Sequence, residues 1–258
     1  MKNNYIDRVI LFHDIDSSKR IGLQKLDSRY LLSWNVINKA IEDARKKSIE
    51  FEHLKLKSQK KINKIVRITI DDGGGSSIEL AKLLAKKNIK AYFFIPTKFI
   101  GKNGFLTKVE INKLYKMGHK IGSHSHSHPN PFCELSKFKI IDEVLESKKI
   151  IEEIIDEKVN IFSVPGGEIR KDTLITLSDD VLELDEIYIS TPYQGKYFFS
   201  SKIGSQVYGR MCIERKMSYK MISNYIIGKG WRFAFINYQL RRFRRELIYK
   251  YNQLFSVK

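Results

Sequence analysis

The chain has 258 residues, 42% of them hydrophobic and 12% aromatic, and its 47 basic against 29 acidic residues give a net charge of +18. That composition suits one large core, and two cysteines exclude a disulfide framework; no stretch reaches the ~18 apolar residues of a helical membrane span. The charge favours polyanions in general, or reflects lysine as a default surface residue, and no zinc-finger, RNA-recognition or helix-turn-helix signature makes nucleic acid the expected partner.

In chain order, the first apolar run is Val9 to Phe12, followed at once by His13. It is too short, and lacks the small-residue cleavage site, for a signal peptide, so a cytoplasmic, reducing location is expected. A basic segment, 45–64, precedes the second run, Ile65 to Ile70, which ends in Asp71-Asp72-Gly73-Gly74-Gly75. Residues 77–87 repeat apolar positions at helical spacing, with Ile78, Ala81, Leu84 and Ala85 on one face. A third strand is expected at Ala91 to Ile95. Thr107 and Glu110 form a capping-box pattern that opens a helix ending near Gly118.

Lys120-Ile121 begins the next strand, and Gly122-Ser123-His124-Ser125-His126-Ser127-His128-Pro129 follows. A long amphipathic helix is expected over 136–156, then strands at Asn160 to Phe162, Ile187 to Ile189 and Val207 to Ile213. Strands separated by helices imply parallel βαβ units, and about seven units in one chain favour a β/α barrel. A barrel requires its active residues at the C-terminal ends of strands. His13, Asp71-Asp72, His124 with His128, and Pro165-Gly166 all fall at such places.

Two adjacent carboxylates after a strand point in different directions, so one can bind a cation while the other stays free. The glycines beside them allow close approach of backbone or substrate. Four of the six histidines lie within 119–128, which points to metal or proton chemistry. His124 and His128 can meet one cation from a helical turn, whereas a strand would put 124, 126 and 128 on one face. Two imidazoles and one carboxylate leave coordination positions open for water and substrate, as catalytic sites do. Zinc is the first expectation for such a set; cobalt, nickel or iron(II) also fit.

Ile68-Thr69-Ile70-Asp71-Asp72-Gly73 resembles the first motif of the polysaccharide deacetylases, carbohydrate esterase family four, and Gly118 to Pro129 resembles their second. Ala91 to Ile95 and Ile100 to Leu106 resemble the intervening segments, so the resemblance covers about residues 8 to 215. It implies a distorted (β/α)7-type barrel that removes the N-acetyl group of a sugar in an envelope or surface polysaccharide. It also implies Asp71 as general base and Asp72, His124 and His128 as ligands of one divalent ion; His119 and His126 match no ligand.

Three departures stand out. The third motif lacks its arginine, so Arg210 is the expected replacement, with Arg170 second. Its aromatic residue is absent from Ser163-Val164-Pro165-Gly166-Gly167, where the backbone N–H of Gly166, beside Pro165, is the expected polariser of the acetyl oxygen. The C-terminal histidine motif is missing, and Ile10 to His13 instead resembles the opening of a circularly permuted branch, which implies His13 as general acid. Other readings on the same fold are a deformylase or another amide hydrolase, and a non-catalytic glycan-binding barrel.

The barrel domain is expected to span 1–238. The tail, 239–258, combines Leu240, Phe243, Leu247 and Tyr251 with Arg241, Arg242, Arg244 and Arg245. At helical spacing it carries an apolar stripe beside a basic face, suited either to packing on the barrel or to the surface of an anionic membrane, at the inner face if the protein is cytoplasmic.

Overall fold

The computed structural model describes residues 6–16, 20–23, 28–54, 65–194 and 204–255; the second half of the basic segment 45–64 lies outside them. Among the described residues, nine strands and seven helices follow in this order: β1 (Ile6–Phe12), α1 (Trp34–Lys46), β2 (Glu50–Phe51), β3 (Ile65–Ile70), α2 (Ser77–Lys86), β4 (Ala91–Ile95), α3 (Lys108–Lys116), β5 (Lys120–Ser123), α4 (Lys137–Ile155), β6 (Ile161–Ser163), α5 (Lys171–Leu177), β7 (Glu186–Ile189), β8 (Gln206–Gly209), β9 (Met211–Cys212), α6 (Tyr219–Ile226) and α7 (Trp231–Phe255).

Every pairing of these strands is parallel, in the order β8-β7-β6-β5-β4-β3-β1-β9, with β2 paired on the side of β3. The two outermost strands are consecutive pieces of one stretch, 206–212, interrupted only at Arg210. Its first half pairs with β7 and its second with β1. That single segment, expected as one strand, brings the ends of the sheet together into a nearly closed seven-stave barrel of mixed α/β type.

Alternation along the strands sorts the side chains. On β3 all six residues are buried, as a strand covered on both faces requires. Val66, Ile68 and Ile70 join Phe93, Ile95, Leu80 and Leu84 under the helices, while Ile65 faces an interior cluster with Tyr92, Phe94, Ile161, Tyr188 and Tyr208. A second outer cluster joins Phe162, Ile187 and Val207 to α4 and α5. Arg67, Thr69 and Asp71 share the inward parity of Ile65, so one strand carries a buried ladder from the N-terminal end of the barrel to its C-terminal rim.

The helix starts follow local chemistry. Thr107 and Glu110 form the full capping box of α3, and Ser136 caps α4 by accepting from the Lys139 N–H. Gly118 follows α3 with φ of 93°, a conformation glycine adopts without strain. Helices α1, α5 and α6 were not evident as sequence patterns; α1 buries Ile37, Ala40, Ile41 and Ala44.

Candidate active site

The site is built at the C-terminal rim from the ends of four strands and from the residue between β8 and β9. Asp71 continues the inward parity of β3. At Asp72 the chain turns into the left-handed region, with φ of 71°, and Gly73 follows at 59°. Asp tolerates that region better than most residues, and the turn carries the Asp72 carboxylate away from Asp71 and toward the β5 loop. Two residues adjacent in sequence thereby acquire different neighbours.

On β5, Gly122 faces the barrel interior: a Cβ there would lie 2.6 Å from Phe94 and 2.7 Å from Ile161. His124, two residues on, also turns inward, and its backbone N–H bonds Ile95. The loop that follows is neither helix nor strand. Ser125 and His128 have φ of 63° and 57°, and the Ser125 hydroxyl accepts from the His128 N–H at 3.0 Å. This turn brings His128 back beside His124, with ring centroids 4.8 Å apart, and leaves His126 outside. The His126 ring instead meets Thr97 at 2.9 Å and Glu146 at 3.4 Å.

The outcome is a compact cluster. Nε2 of His124 lies 3.4 Å and Nε2 of His128 3.3 Å from the same oxygen of Asp72, and one donor atom from each residue falls within 4.8 Å of the others. The Nδ1–H of His124 donates to the Ser163 carbonyl at 2.7 Å. That bond fixes the tautomer and leaves the Nε2 lone pair facing Asp72, the second-layer support that metal-binding histidines require. By donor type, spacing and tautomer, Asp72, His124 and His128 fit a divalent cation.

Asp71 has a different partner. Arg210, with none of its surface exposed, forks onto its carboxylate at 2.8 and 2.7 Å. Ser163 donates to the same carboxylate at 3.0 Å, and Arg210 also reaches the Ser163 hydroxyl at 2.8 Å. Burial pushes the Asp71 carboxyl up, but Arg210 and His124 outweigh it and hold the group below the usual carboxylate range. Asp71 is therefore ionised at neutral pH and held in a single orientation. Arg170 lies elsewhere, exposed and paired with Glu134 at 3.2 Å.

His13 ends β1 at the same rim. Its ring stacks on Tyr30, centroids 4.6 Å apart, and its buried Nδ1 has no hydrogen-bond partner. Burial lowers its pKa, against the opposing pull of Asp72 and Asp71. Pro165 and Gly166 follow β6, with Gly166 at φ of 66°, where an added Cβ would lie 2.4 Å from the Asn130 side-chain oxygen. His119 lies away from the site, at the opposite end of β5; its ring accepts from the Ala91 N–H and donates to the Ala81 carbonyl, both at 3.2 Å.

Sequence reading passed over several residues that shape the site. Ser163 holds Asp71 through its hydroxyl and His124 through its carbonyl, and nothing local distinguishes it from any serine at a strand end. Tyr30 covers His13. Asp14, next to His13, accepts from Ser76 and from the Gly22 N–H, and burial raises its pKa to about 6. A Cβ on Gly74 would lie 2.1 Å from the Asp14 carboxylate, so this buried acid packs directly under the glycine turn that carries Asp72.

A family model described as polysaccharide deacetylase matches residues 58–181. The uncharacterized protein YlxY of Bacillus subtilis is 32% identical over 93 residues, 36% of this chain and 28% of its own length. The peptidoglycan-N-acetylglucosamine deacetylase PgdA of Listeria monocytogenes is 33% identical over 93 residues, 35% of this chain and 19% of its own length. The match thus spans well under a third of either relative. The crystal structure of a polysaccharide deacetylase from Bacillus cereus superposes with a TM-score of 0.68 at 15% identity, covering 86% of this chain and 69% of that one. The model match and the relatives point the same way: over residues 58–181 the chain matches the polysaccharide deacetylase family, and its fold is shared with a solved polysaccharide deacetylase.

Proposed function

We propose that the protein is a metal-dependent N-deacetylase of an N-acetylated sugar in a cell-envelope or surface polysaccharide, free or lipid-linked. The observation that carries this reading is the division of labour between adjacent carboxylates. Asp72 shares a cation-sized space with two imidazoles, while Asp71 is neutralised by Arg210 and stays free to accept a proton. The similarity to a peptidoglycan-N-acetylglucosamine deacetylase supports the choice of an N-acetylated envelope glycan.

In this reading Asp72, His124 and His128 hold one divalent ion, zinc before cobalt, nickel or iron(II). Bound there, the ion supplies Lewis acidity, lowering the pKa of a water and polarising the acetyl carbonyl. Asp71 takes the proton of the attacking water. Arg210 and Ser163 keep its carboxylate charged and aimed during that transfer. The water oxygen adds to the acetyl carbon, and the Gly166 N–H, positioned by the turn after Pro165, helps hold the oxygen that becomes negative. His13, stacked on Tyr30, donates a proton to the departing nitrogen as the C–N bond breaks, a step worth ~10²–10⁴-fold. Acetate and a free amino sugar result. The location of β1 between β3 and β9, with His13 at its rim end, supports the permuted arrangement of the general acid.

The test is acetate release from a panel of free, polymeric and lipid-linked N-acetylhexosamines with added zinc or cobalt, and N-formylated counterparts beside them. Release from one class names the substrate. Formate release without acetate replaces this reading with a deformylase, and no release from any member, with metal demonstrably bound, rejects it.

A further inference from the structure

The C-terminal third of the chain has a charge distribution that the deacetylase site does not use. From Arg215 to Arg245 there are 31 residues without one Asp or Glu, and nine of them are Lys or Arg. Most of α7 lies in this stretch. Its first turns are anchored: Trp231 is buried and donates its indole N–H to the Tyr225 carbonyl at 2.8 Å, Ala234 packs on the main core, and Phe235 meets Tyr193 edge to face.

The opposite side of α7 is a row of large apolar residues in solvent. Phe233 is 68% exposed, Ile236 46%, Leu240 61% and Phe243 61%. Their spacings of three, four and three place them on one stripe about 80° wide at the helical repeat. Arg232 lies along one edge of that stripe, and Arg244 and Arg241 along the other, all exposed. Leu247 continues the register, and Leu247 and Tyr251 have side chains outside the described residues. The stripe therefore begins two turns earlier than the tail expected from sequence, inside the anchored part of the helix.

We infer that this face of α7 docks the protein on an anionic lipid surface, with Phe233, Ile236, Leu240 and Phe243 entering the headgroup boundary and Arg232, Arg241 and Arg244 bonding lipid phosphates. The geometry is that of a helix lying in the interface, apolar row down and cations flanking it. A second copy of the chain is a poorer occupant, because a two-fold contact along this stripe sets arginine edges against arginine edges. No helix among the described residues is long and apolar enough to cross a membrane, so the mode is attachment to one leaflet. The inference stands independently of the deacetylase reading.

Flotation of the full chain with vesicles of neutral phosphatidylcholine, alone or with phosphatidylglycerol, tests it. The chain is expected to float with anionic vesicles at low salt, less at high salt, and hardly with neutral ones. The double variant Arg241→Gln/Arg244→Gln should lower partitioning on the order of 30-fold, at about fivefold for each cation near the surface. Leu240→Ser/Phe243→Ser should lower it at least as much. All four positions are exposed and outside the catalytic rim, so folding by circular dichroism and acetate release from a soluble substrate should not change. Failure of the wild-type chain to float on anionic vesicles overturns the inference, and so does equal flotation of folded variants. Self-association in sedimentation that the Leu240→Ser/Phe243→Ser change abolishes, without vesicle binding, assigns the face to a second copy instead.

Discussion

The two ends of the barrel bury the same kinds of groups and treat them in opposite ways. At the N-terminal end Arg67 lies inside the staves, bonded to Glu52 and Glu186 at 2.8 Å each and to the Tyr188 hydroxyl, its guanidinium 4.1 Å from the Tyr92 ring centroid. Two carboxylates and two kinds of aromatic contact leave that arginine closed off. At the C-terminal rim Arg210 forks one carboxylate, but next to it a second carboxylate faces two imidazoles, and the buried Nδ1 of His13 has no partner. A polar cluster that the protein completes by itself is a plug; one that it leaves incomplete is where a ligand or a reaction can enter.

Four experiments break or sharpen this contrast. The largest effect belongs to Asp71→Asn, which removes the proposed base without removing a proposed ligand. Acetate release should fall by ~10⁴-fold, the upper range of base catalysis, while metal content measured by elemental analysis stays near wild type. Turnover within a few fold of wild type would mean that another group accepts the proton.

Next come the two buried arginines, compared directly. Arg210→Met strands the buried Asp71 carboxylate and should cost about 3–5 kcal/mol in denaturant unfolding; Arg67→Met removes the shared cation of the half-buried Glu52 and Glu186 and should cost no more than that. Their pH profiles should differ. Arg210 holds the Asp71 pKa down, so its loss raises that pKa and moves the acid limb of kcat/KM to higher pH. Arg67→Met should leave the limb in place. An unmoved limb in folded Arg210→Met enzyme would show that Asp71 does not govern it.

A third comparison uses two histidines at the ends of one strand, His119 before β5 and His124 after it. Both nitrogens of His119 are satisfied by backbone, one as acceptor and one as donor, and burial lowers its pKa to about 4. A histidine lowered in the folded state contributes stability that is complete above its unfolded pKa of ~6.5. That contribution is lost as pH falls toward 4, amounting to about 3 kcal/mol. Urea unfolding of His119→Gln should therefore start less stable at pH 7 and lose less between pH 6.5 and 4; an unchanged slope would assign the acid sensitivity to other groups.

The smallest effect is the separation of His128 from His126. His128→Ala should weaken zinc binding by at least about 100-fold, more than the loss of a supporting residue costs. His126→Ala should leave it close to wild type, because that ring faces Thr97 and Glu146. Equal losses in titration calorimetry would restore the strand-face grouping of 124, 126 and 128.

Much of this organisation is local, and local features are what a sequence displays. The buried runs of β3 and β4, the Thr107–Glu110 capping box and the Asp-Asp-Gly turn each depend on neighbours a few residues away. So does the gathering of histidines after β5. Their periodicity and spacing were therefore enough to place a parallel barrel and to set these polar residues at the C-terminal ends of its strands. The choice between a helical turn and a strand for 124–128 was not decidable in that way. The loop resolves it through left-handed residues at Ser125 and His128, a conformation uncommon for any residue but glycine and so not to be expected at two positions of one short loop.

What neighbouring residues alone do not display is everything joined across the barrel, although the resemblance did name Arg210 as the expected arginine. Arg210 reaches Asp71 over 139 positions, and Ser163 over 92. Asp14 finds Ser76 over 62. The stretch 207–213 reads as one strand, yet it serves two edges and turns Arg210 inward at the break between them. A parallel sheet pairs strands that are always distant along the chain, so the partner of a buried charge is set by barrel closure and cannot be read from its neighbours in sequence. The same holds at the surface. Helical spacing displays the stripe of α7, but only the packing of Trp231, Ala234 and Phe235 decides which side of that helix faces the core and which is left to solvent.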